Sequence, residues 1–437
     1  MIDLRGKRVT VAGLGRFGGQ IAAARWLCGQ GASVCISDRD PAEKLADSVA
    51  QLTDLPIEMR LGGHREADFT GADLVVASPA IPPTHAMLLA ARAASVPVVT
   101  EIQLFIERCA ARILGVTGTK GKSTTTAMLG RILSRRFTTW TGGNIGKSLL
   151  LEVDRIGPSD AVVLELSSFM LEYLGEARWS PHVAVVTMIS ADHLDWHGSS
   201  AAYVQAKKNI LRFQGTNDYA VLNETDPPTA ELAREARGKV ILYGKQERKF
   251  QLLLPGEHNQ LNAQGAAAAA AAVMGVDWQT SQAALADFAG LPHRLQLVHE
   301  SAGVRYFNDS IATVPEAAVA ALDSFPSKKV IQIVGGSDKG LATTALCAAL
   351  VERAKAVLCI GATGPRLAEQ MERGDSPTAA AVYRCGDLAT AVGIARHIAV
   401  AGDVVLLSPG FASYDQFTNF EQRGDQFAKL AASESNS

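Results

Sequence analysis

Short, largely apolar and β-branched runs alternate with longer Ala/Leu-rich stretches along the whole chain. Such runs include Val9–Ala12, Leu74–Ala77, Ile113–Thr117, Ala161–Leu164, Val183–Met188, Val330–Val334, Ala356–Ile360 and Val404–Leu407. Strands buried on both faces require runs of this kind, and helical stretches between them imply βα crossovers. The alternation predicts an α/β fold with mostly parallel sheets. A length of 437 residues, at roughly 100–200 residues per domain, predicts two to four domains, and three is the working count. We place them at 1–105, 106–292 and 293–437. The first two each open with strand, glycine-rich turn and helix. The third follows the turn-like Gly290-Leu291-Pro292.

Composition removes several function classes. Lys and Arg total 42 against 44 Asp and Glu, a net charge of −2, so no basic excess exists to neutralise a nucleic-acid backbone. No apolar run approaches the roughly 18–20 residues of a membrane-crossing helix. The N-terminus passes almost directly into a strand pattern without a signal-peptide core, so a cytoplasmic location is expected. The six cysteines are scattered and form no Cys-x-x-Cys pair; they read as small hydrophobes, not a disulfide framework or a zinc site.

The first turn is Gly13-Leu-Gly15-Arg16-Phe17-Gly18, between the strand RVTVA and the helix QIAAARWL. Glycines allow close approach of the backbone to a diphosphate, and the helix N-terminus favours anions. Asp38 ends the next strand, where a Rossmann-like domain would hold a ribose. On this segment alone the expected ligand is a dinucleotide, as in an NAD(P)-dependent oxidoreductase.

The second turn is Gly118-Thr119-Lys120-Gly121-Lys122-Ser123-Thr124, between ILGVT and TTAMLGRILS. It is a shortened P-loop: Val116 stands where the strict pattern has its first glycine. Backbone N–H groups in such a loop cradle phosphates, Lys122 can reach the β/γ-phosphates, and Ser123 can bind Mg²⁺. Hydride transfer has no use for a second, ATP-type loop. A ligase could hold a nucleotide-tagged substrate at one and ATP at the other.

With these turns, further words resemble the Mur ligase family, which builds the peptide stem of peptidoglycan, and within it the glutamate-adding branch. They are SPAIPPTHAMLLAA at 78–91, GGNIG at 142–146, ELSSFMLE at 165–172, DHLDWHG at 192–198, YVQAKKNI at 203–210, GEHNQLNA at 256–263, LPHR at 291–294, NDS at 308–310 and LSPGFASYDQFTNFEQRG at 407–424. Order and spacing carry the resemblance over nearly the whole chain. It implies a Rossmann-like N-terminal domain for the UDP end of the substrate, a central ATPase domain, and a Rossmann-like C-terminal domain completing the amino-acid site. The implied activity is ATP-dependent ligation of glutamate to UDP-N-acetylmuramoyl-L-alanine through an acyl phosphate, by a monomer using Mg²⁺.

The resemblance also implies roles for residues. Gly15, Arg16, Phe17, Asp38, Arg39 and Ser78 would bind the UDP end, and Asn144 would orient the muramoyl part. Gly118 to Thr124 would hold the ATP phosphates, Asn259 and Asn262 the adenine side, and Arg294 and Asp309 the ATP from the third domain. Lys122, Glu165, His193 and Lys207 form the catalytic set, with Ser123, Glu165, His193 and Lys207 serving Mg²⁺. Lys207, at Tyr-x-x-x-Lys spacing from Tyr203, would be carbamylated, because an ammonium repels a metal whereas a carbamate offers it oxygen; Lys208 is the adjacent competitor. Thr313, Lys339, Ser413 and Phe420 would hold glutamate. His197 reads as a polar loop residue, since DHLDWHG looks like a loop. One departure stands out. After Asp309-Ser310 the D-glutamate-adding pattern has a lysine, whereas this chain has Ile311. A variant branch that adds L-glutamate is similar there, while the C-terminal FASYDQFTNFEQRG matches the ordinary D-glutamate pattern. The expectation is D-glutamate, with L-glutamate as the alternative.

Overall fold

The computed structural model describes residues 3–15, 18–190, 194–338, 340–372 and 380–433. It has three α/β domains, each built on one sheet. The first sheet holds β1 (Arg8–Ala12), β2 (Ser33–Asp38), β3 (Glu58–Leu61), β4 (Leu74–Ala77) and β5 (Val98–Thr100). Their order is β3-β2-β1-β4-β5, all parallel. The crossovers leave β1 on opposite sides, so a crevice opens beyond the C-terminal ends of β1 and β4. Gly13 follows β1 there and Ser78 follows β4; the Ser78 N–H donates to the Ala12 carbonyl at 2.8 Å.

The second sheet holds β6 (Arg112–Thr117), β7 (Thr139–Gly143), β8 (Ala161–Glu165), β9 (Val183–Val186), β10 (Tyr219–Asn223) and β11 (Lys239–Tyr243). Its order is β11-β10-β9-β6-β8-β7, again all parallel. β6 lies between β9 and β8, so Thr117, Glu165 and Thr187 emerge side by side at one edge. Leu114, Val116, Val162, Val163 and Leu164 are fully buried, as the uninterrupted apolar runs require.

The third sheet holds β12 (Gln296–Ser301), β13 (Val304–Asn308), β14 (Val330–Gly335), β15 (Ala356–Ile360), β16 (Ala381–Gly386) and β17 (Val404–Leu407), in the order β12-β13-β17-β14-β15-β16. Only the β12–β13 pairing is antiparallel. β12 is half-buried to exposed throughout, so it carries no apolar run and hydrophobic patterning passes over it. The chain divides into two compact units: Met1–Phe250 with Leu261–Leu285, holding the first two sheets, and Gln251–Gln260 with Ala286–Ser437, holding the third.

Two local features follow from chemistry. The Ala-rich helix Glu257–Met274 packs its small side chains tightly: Ala263, Ala266, Ala269 and Ala270 are fully buried. The helices Ser168–Glu176 and Ser200–Arg212 start at hydroxyl caps, Ser167 accepting from the Met170 N–H and Ser199 from the Ala202 N–H. The segment expected as a loop contains one turn of helix, Leu194–His197. All six cysteines are free; Cys347, Cys359 and Cys385 are buried and the other three half-buried. Burial pushes the Cys359 thiol up to about 12, so it is an inert apolar group. No helix among the described residues is long and apolar enough to cross a membrane.

Glu101 opens the helix Glu101–Ile106 between the first two domains. Its carboxyl is buried and accepts from the Ser148 hydroxyl. Burial raises its pKa from 4.5 to about 7, the Ser148 bond opposing that only in part. A carboxyl raised on folding favours the protonated native state, so its stabilisation is complete below pH about 4.5 and is lost as pH climbs through about 7. The penalty of the ionised form is on the order of 3 kcal/mol. Glu101→Gln should therefore be more stable than the wild type at pH 8.5 and show no gain at pH 4.5. Urea midpoints across that range check it; parallel curves for the two proteins would remove Glu101 as the cause.

Candidate active site

The second glycine-rich turn runs from the end of β6 into the helix Lys122–Leu133. Gly118 has φ +150° and Gly121 φ +84°, values that L side chains avoid. Space excludes a side chain as well: a Cβ on Gly118 would lie 1.9 Å from Thr187 Oγ1, and one on Gly121 2.5 Å from Asn262 Oδ1. The loop is held from its surroundings. The Thr119 N–H donates to the Met188 carbonyl at 2.7 Å, and Thr187 Oγ1 donates to the Lys120 carbonyl at 2.6 Å. Thr125 Oγ1 donates to Asn262 Oδ1 at 3.1 Å. Lys122 Nζ turns back onto the Thr119 carbonyl at 2.9 Å, which keeps an ammonium at the mouth of the loop. Ser123 is half-buried and Thr124 buried on the same first helical turn.

Glu165 ends β8 beside this loop and is 2% exposed. One carboxylate oxygen accepts from Asn144 Nδ2 at 2.9 Å. The other is buried with no hydrogen-bond partner. A buried carboxylate oxygen without a donor is costly unless a cation completes it. Among the described residues there is no cluster of three or more His, Cys, Asp and Glu side chains able to hold a metal. A single buried carboxylate with one unpartnered oxygen beside a phosphate-binding type of loop suits Mg²⁺, which takes one or two carboxylates together with phosphate oxygens.

Lys207 comes from the helix Ser200–Arg212 and is 1% exposed. Its Nζ donates to the Gly118 carbonyl at 2.7 Å and lies 4.6 Å from the centre of the Tyr203 ring. The neighbouring Lys208 instead pairs with Glu235 at 2.6 Å. The ordinary fate of a helix lysine, at the surface beside an acid, thus belongs to Lys208.

In the first domain Gly15 has φ +58°. Asp38, 5% exposed, accepts from the Gly15 N–H at 3.1 Å and the Asp40 N–H at 2.8 Å. Its carboxylate braces the turn from below. Arg39 and Asn144 are exposed, and Ser78 is half-buried at the crevice. Arg16, Phe17, His193 and Lys339 lie outside the described residues.

The C-terminal unit has its own polar cluster. Asp309 is 6% exposed and accepts from the Leu295 N–H at 3.1 Å and the Ser408 hydroxyl at 2.7 Å. Burial outweighs these bonds and the nearby Arg294, raising its pKa to about 7. The Ser310 hydroxyl donates to the Phe420 carbonyl at 2.8 Å. Ser413 is buried, while Thr313 and Phe420 are half-buried. Asn259, also of this unit, donates to the Pro255 carbonyl at 2.7 Å.

Residues 7–100 match the Mur ligase MurD-like N-terminal domain, 116–253 the Mur ligase middle domain, and 293–411 the Mur ligase glutamate ligase domain. The UDP-N-acetylmuramoylalanine–D-glutamate ligase of Roseiflexus sp. is 40% identical over 99% of this chain and 100% of its own. The same-named enzyme of Symbiobacterium thermophilum is 37% identical over 97% of each chain. This chain belongs to the Mur ligase family. A crystal structure of the UDP-N-acetylmuramate–alanine ligase of Thermotoga maritima shares the fold, with TM-score 0.61 and 20% identity over 97% of this chain and 98% of that one. As a Mur ligase the chain is an ATP-dependent amide ligase, and the family uses ATP and Mg²⁺. The first glycine-rich turn lies inside a Mur ligase domain, and the oxidoreductase reading is set aside.

Several residues in the two units of this Mur ligase escaped the sequence reading. Thr187 and Asn223 hold the ATP loop from below, Asn223 Nδ2 donating to the Thr187 carbonyl at 2.8 Å. Single polar residues at strand ends give no signal until the strand order is known. Arg423 is buried, with Nε 2.9 Å from Ser310 Oγ and its two terminal nitrogens donating to the carbonyls of Phe411 and Ser310. Burial lowers its pKa to about 10, which leaves it a cation. It thus holds Ser310, the residue before Ile311, where the family pattern has its lysine. His197 is no loose polar residue: its Nε2 lies 3.0 Å from Ser168 Oγ and its ring packs among aromatics.

Proposed function

We propose that this Mur ligase adds D-glutamate to UDP-N-acetylmuramoyl-L-alanine, releasing ADP and phosphate, as a step in peptidoglycan precursor synthesis. The observation that carries the proposal is likeness at 34–40% identity over 97–99% of the chain to enzymes named for that reaction. In this reading domain 1–105 holds the UDP end, 106–292 the ATP, and 293–437 the amino acid. The enzyme works as a cytoplasmic monomer.

A carboxylate is a poor acyl donor, and its approach to a triphosphate is opposed by charge. In the proposed reaction a carboxylate oxygen of the alanyl end attacks the γ-phosphorus and ADP leaves. The glutamate amine, having lost a proton, then attacks the acyl carbon and phosphate departs. Lys122 and the backbone N–H groups of Gly118 to Thr124 stabilise the transferring phosphoryl group. Asn144 holds one oxygen of Glu165 and so aims the other. Mg²⁺, when bound, offsets the charge between carboxylate and triphosphate; Ser123, Glu165, His193 and a carbamylated Lys207 would hold it. A carbamate retains one N–H on Nζ, enough to keep the bond to the Gly118 carbonyl while presenting two oxygens. Asn259, Asn262, Arg294 and Asp309 serve ATP. Thr313, Lys339, Ser413 and Phe420 serve glutamate, and Arg423 supports the cationic character that Ile311 cannot provide.

Parallel ADP-release assays with the two glutamate enantiomers test the proposal. D-glutamate should give the higher kcat/KM by at least about tenfold, equivalent to about 1.4 kcal/mol of discrimination. A tenfold preference for L-glutamate would overturn the stereochemical assignment. Failure of both enantiomers with UDP-N-acetylmuramoyl-L-alanine would overturn the substrate assignment.

A further inference from the structure

The one-turn helix Leu194–His197 touches elements that lead to both glycine-rich turns. On one side Trp196 Nε1 donates to the Ala80 carbonyl at 3.0 Å. The segment from Ser78 to Ile81 lies directly on Gly13: a Cβ there would meet Ile81 Cδ1 at 3.0 Å and Ser78 Cβ at 3.1 Å. On the other side the His197 ring packs edge-on against Tyr203, with centroids 5.3 Å apart, and the Tyr203 hydroxyl is 3.0 Å from Thr119 Oγ1 in the ATP loop. Trp196 and His197 are themselves in edge contact at 4.5 Å, and Phe169 lies 4.7 Å from Trp196 and 5.7 Å from His197.

The Ala80 segment is an irregular stretch broken by Pro79, Pro82 and Pro83. Its carbonyls at Ala80, Ile81 and Pro83 accept from side chains of other elements. Besides Trp196, the Tyr173 hydroxyl donates to the Ile81 carbonyl at 2.6 Å. Arg92 donates to the Pro83 carbonyl at 2.7 Å while pairing with Glu176. Both Trp196 and Tyr173 belong to the ATP-binding domain, so that domain dictates where a loop of the first domain stands.

We infer that Trp196 is a positioning residue for the nucleotide-sugar side of the site, acting through the Ala80 carbonyl, and that His197 ties the same helix to the ATP loop through Tyr203. The inference rests on the ligase reading above. Phosphoryl transfer requires two substrates bound on separate loops to meet, and misplacement by about 1 Å can cost on the order of 10²-fold. A short helix linked to one loop through Ala80 and to the other through Tyr203 sets that separation.

Trp196→Phe keeps a ring against Phe169 and removes only the N–H donor. One neutral hydrogen bond is worth about three- to tenfold. The variant should raise KM for UDP-N-acetylmuramoyl-L-alanine by about that factor, with KM for ATP unchanged within about twofold. Tyr173→Phe, which removes the other donor to the same loop, should move the same constant in the same direction. Equal changes in both KM values, or none in either, would overturn the inference. Amide hydrogen exchange on the ligand-free proteins gives a second readout. Peptides covering residues 74–92 should exchange faster in Trp196→Phe while those covering 118–124 stay as in the wild type; unchanged exchange at 74–92 would overturn it. If the wild type fails to turn over this substrate, the ligase reading falls, and the exchange measurement still decides the positioning role.

Discussion

Lys207→Ala should lose ligase activity by a factor of at least about 10²–10³ while remaining folded. The expectation follows from position. Lys207 is 1% exposed, bonded to the Gly118 carbonyl and set over the Tyr203 ring. A plain ammonium in such a place pays a large desolvation cost and would repel a divalent cation. In the proposed mechanism a carbamate in the same place would supply oxygen to Mg²⁺, and removing one such preorganised group from a phosphoryl-transfer site typically costs a factor of this size. Small carboxylic acids such as acetate should restore part of the activity by occupying the space of the lost carbamate. Activity of the wild type should fall when carbon dioxide is stripped from the buffer and return with bicarbonate. Phosphate release in Lys207→Ala near the wild-type rate, with native circular dichroism, would sink the assignment. Lys207→Met, which fills the same volume, separates a loss of chemistry from a packing defect.

Lys122→Ala should cost about 10²–10³ in kcat with little change in thermal stability. Its ammonium rests on the Thr119 carbonyl at the mouth of the loop, a contact that contributes modestly to folding but that, in the proposed mechanism, would place positive charge where the γ-phosphate develops negative charge. Phosphate release and thermal melting on the same preparation check both halves. Turnover within threefold of wild type in a folded variant would remove Lys122 from the phosphoryl-transfer machinery. Lys122→Arg keeps the charge but not the point-like geometry, and it should recover only part of the rate.

Much of the architecture was legible in the chain before any coordinates. The apolar runs of β1, β4, β6, β8, β9, β14, β15 and β17 announce strands because strands buried on both faces leave no room for polar positions. β12 escaped because it is an edge strand with half-exposed side chains. The turn of helix at Leu194–His197 escaped because four residues are too few to display a helical period. For the modified lysine the sequence left Lys207 and Lys208 as neighbours, with the spacing to Ile210 favouring Lys207; only the fold shows that Lys207 is buried while Lys208 pairs with Glu235.

By itself, the sequence determined what local backbone chemistry governs. It specified two strand–glycine turn–helix units, with Gly118 and Gly121 where a positive φ disfavours side chains. It also set Lys122 and Ser123 one residue apart on the helical turn that follows. Those features depend on dihedral freedom and on hydrogen bonds between near neighbours. Only the tertiary structure decided which distant groups meet. Strand order brings Glu165 and Thr187 to the edge where the ATP loop leaves β6. Helix packing carries Lys207 to the Gly118 carbonyl, 89 residues away, and Arg423 to Ser310, 113 residues away. It also sets Trp196 on the Ala80 carbonyl, 116 residues away. No local rule encodes such pairings, because they result from burying whole faces of sheets and helices, and side chains far apart in sequence meet where those faces close.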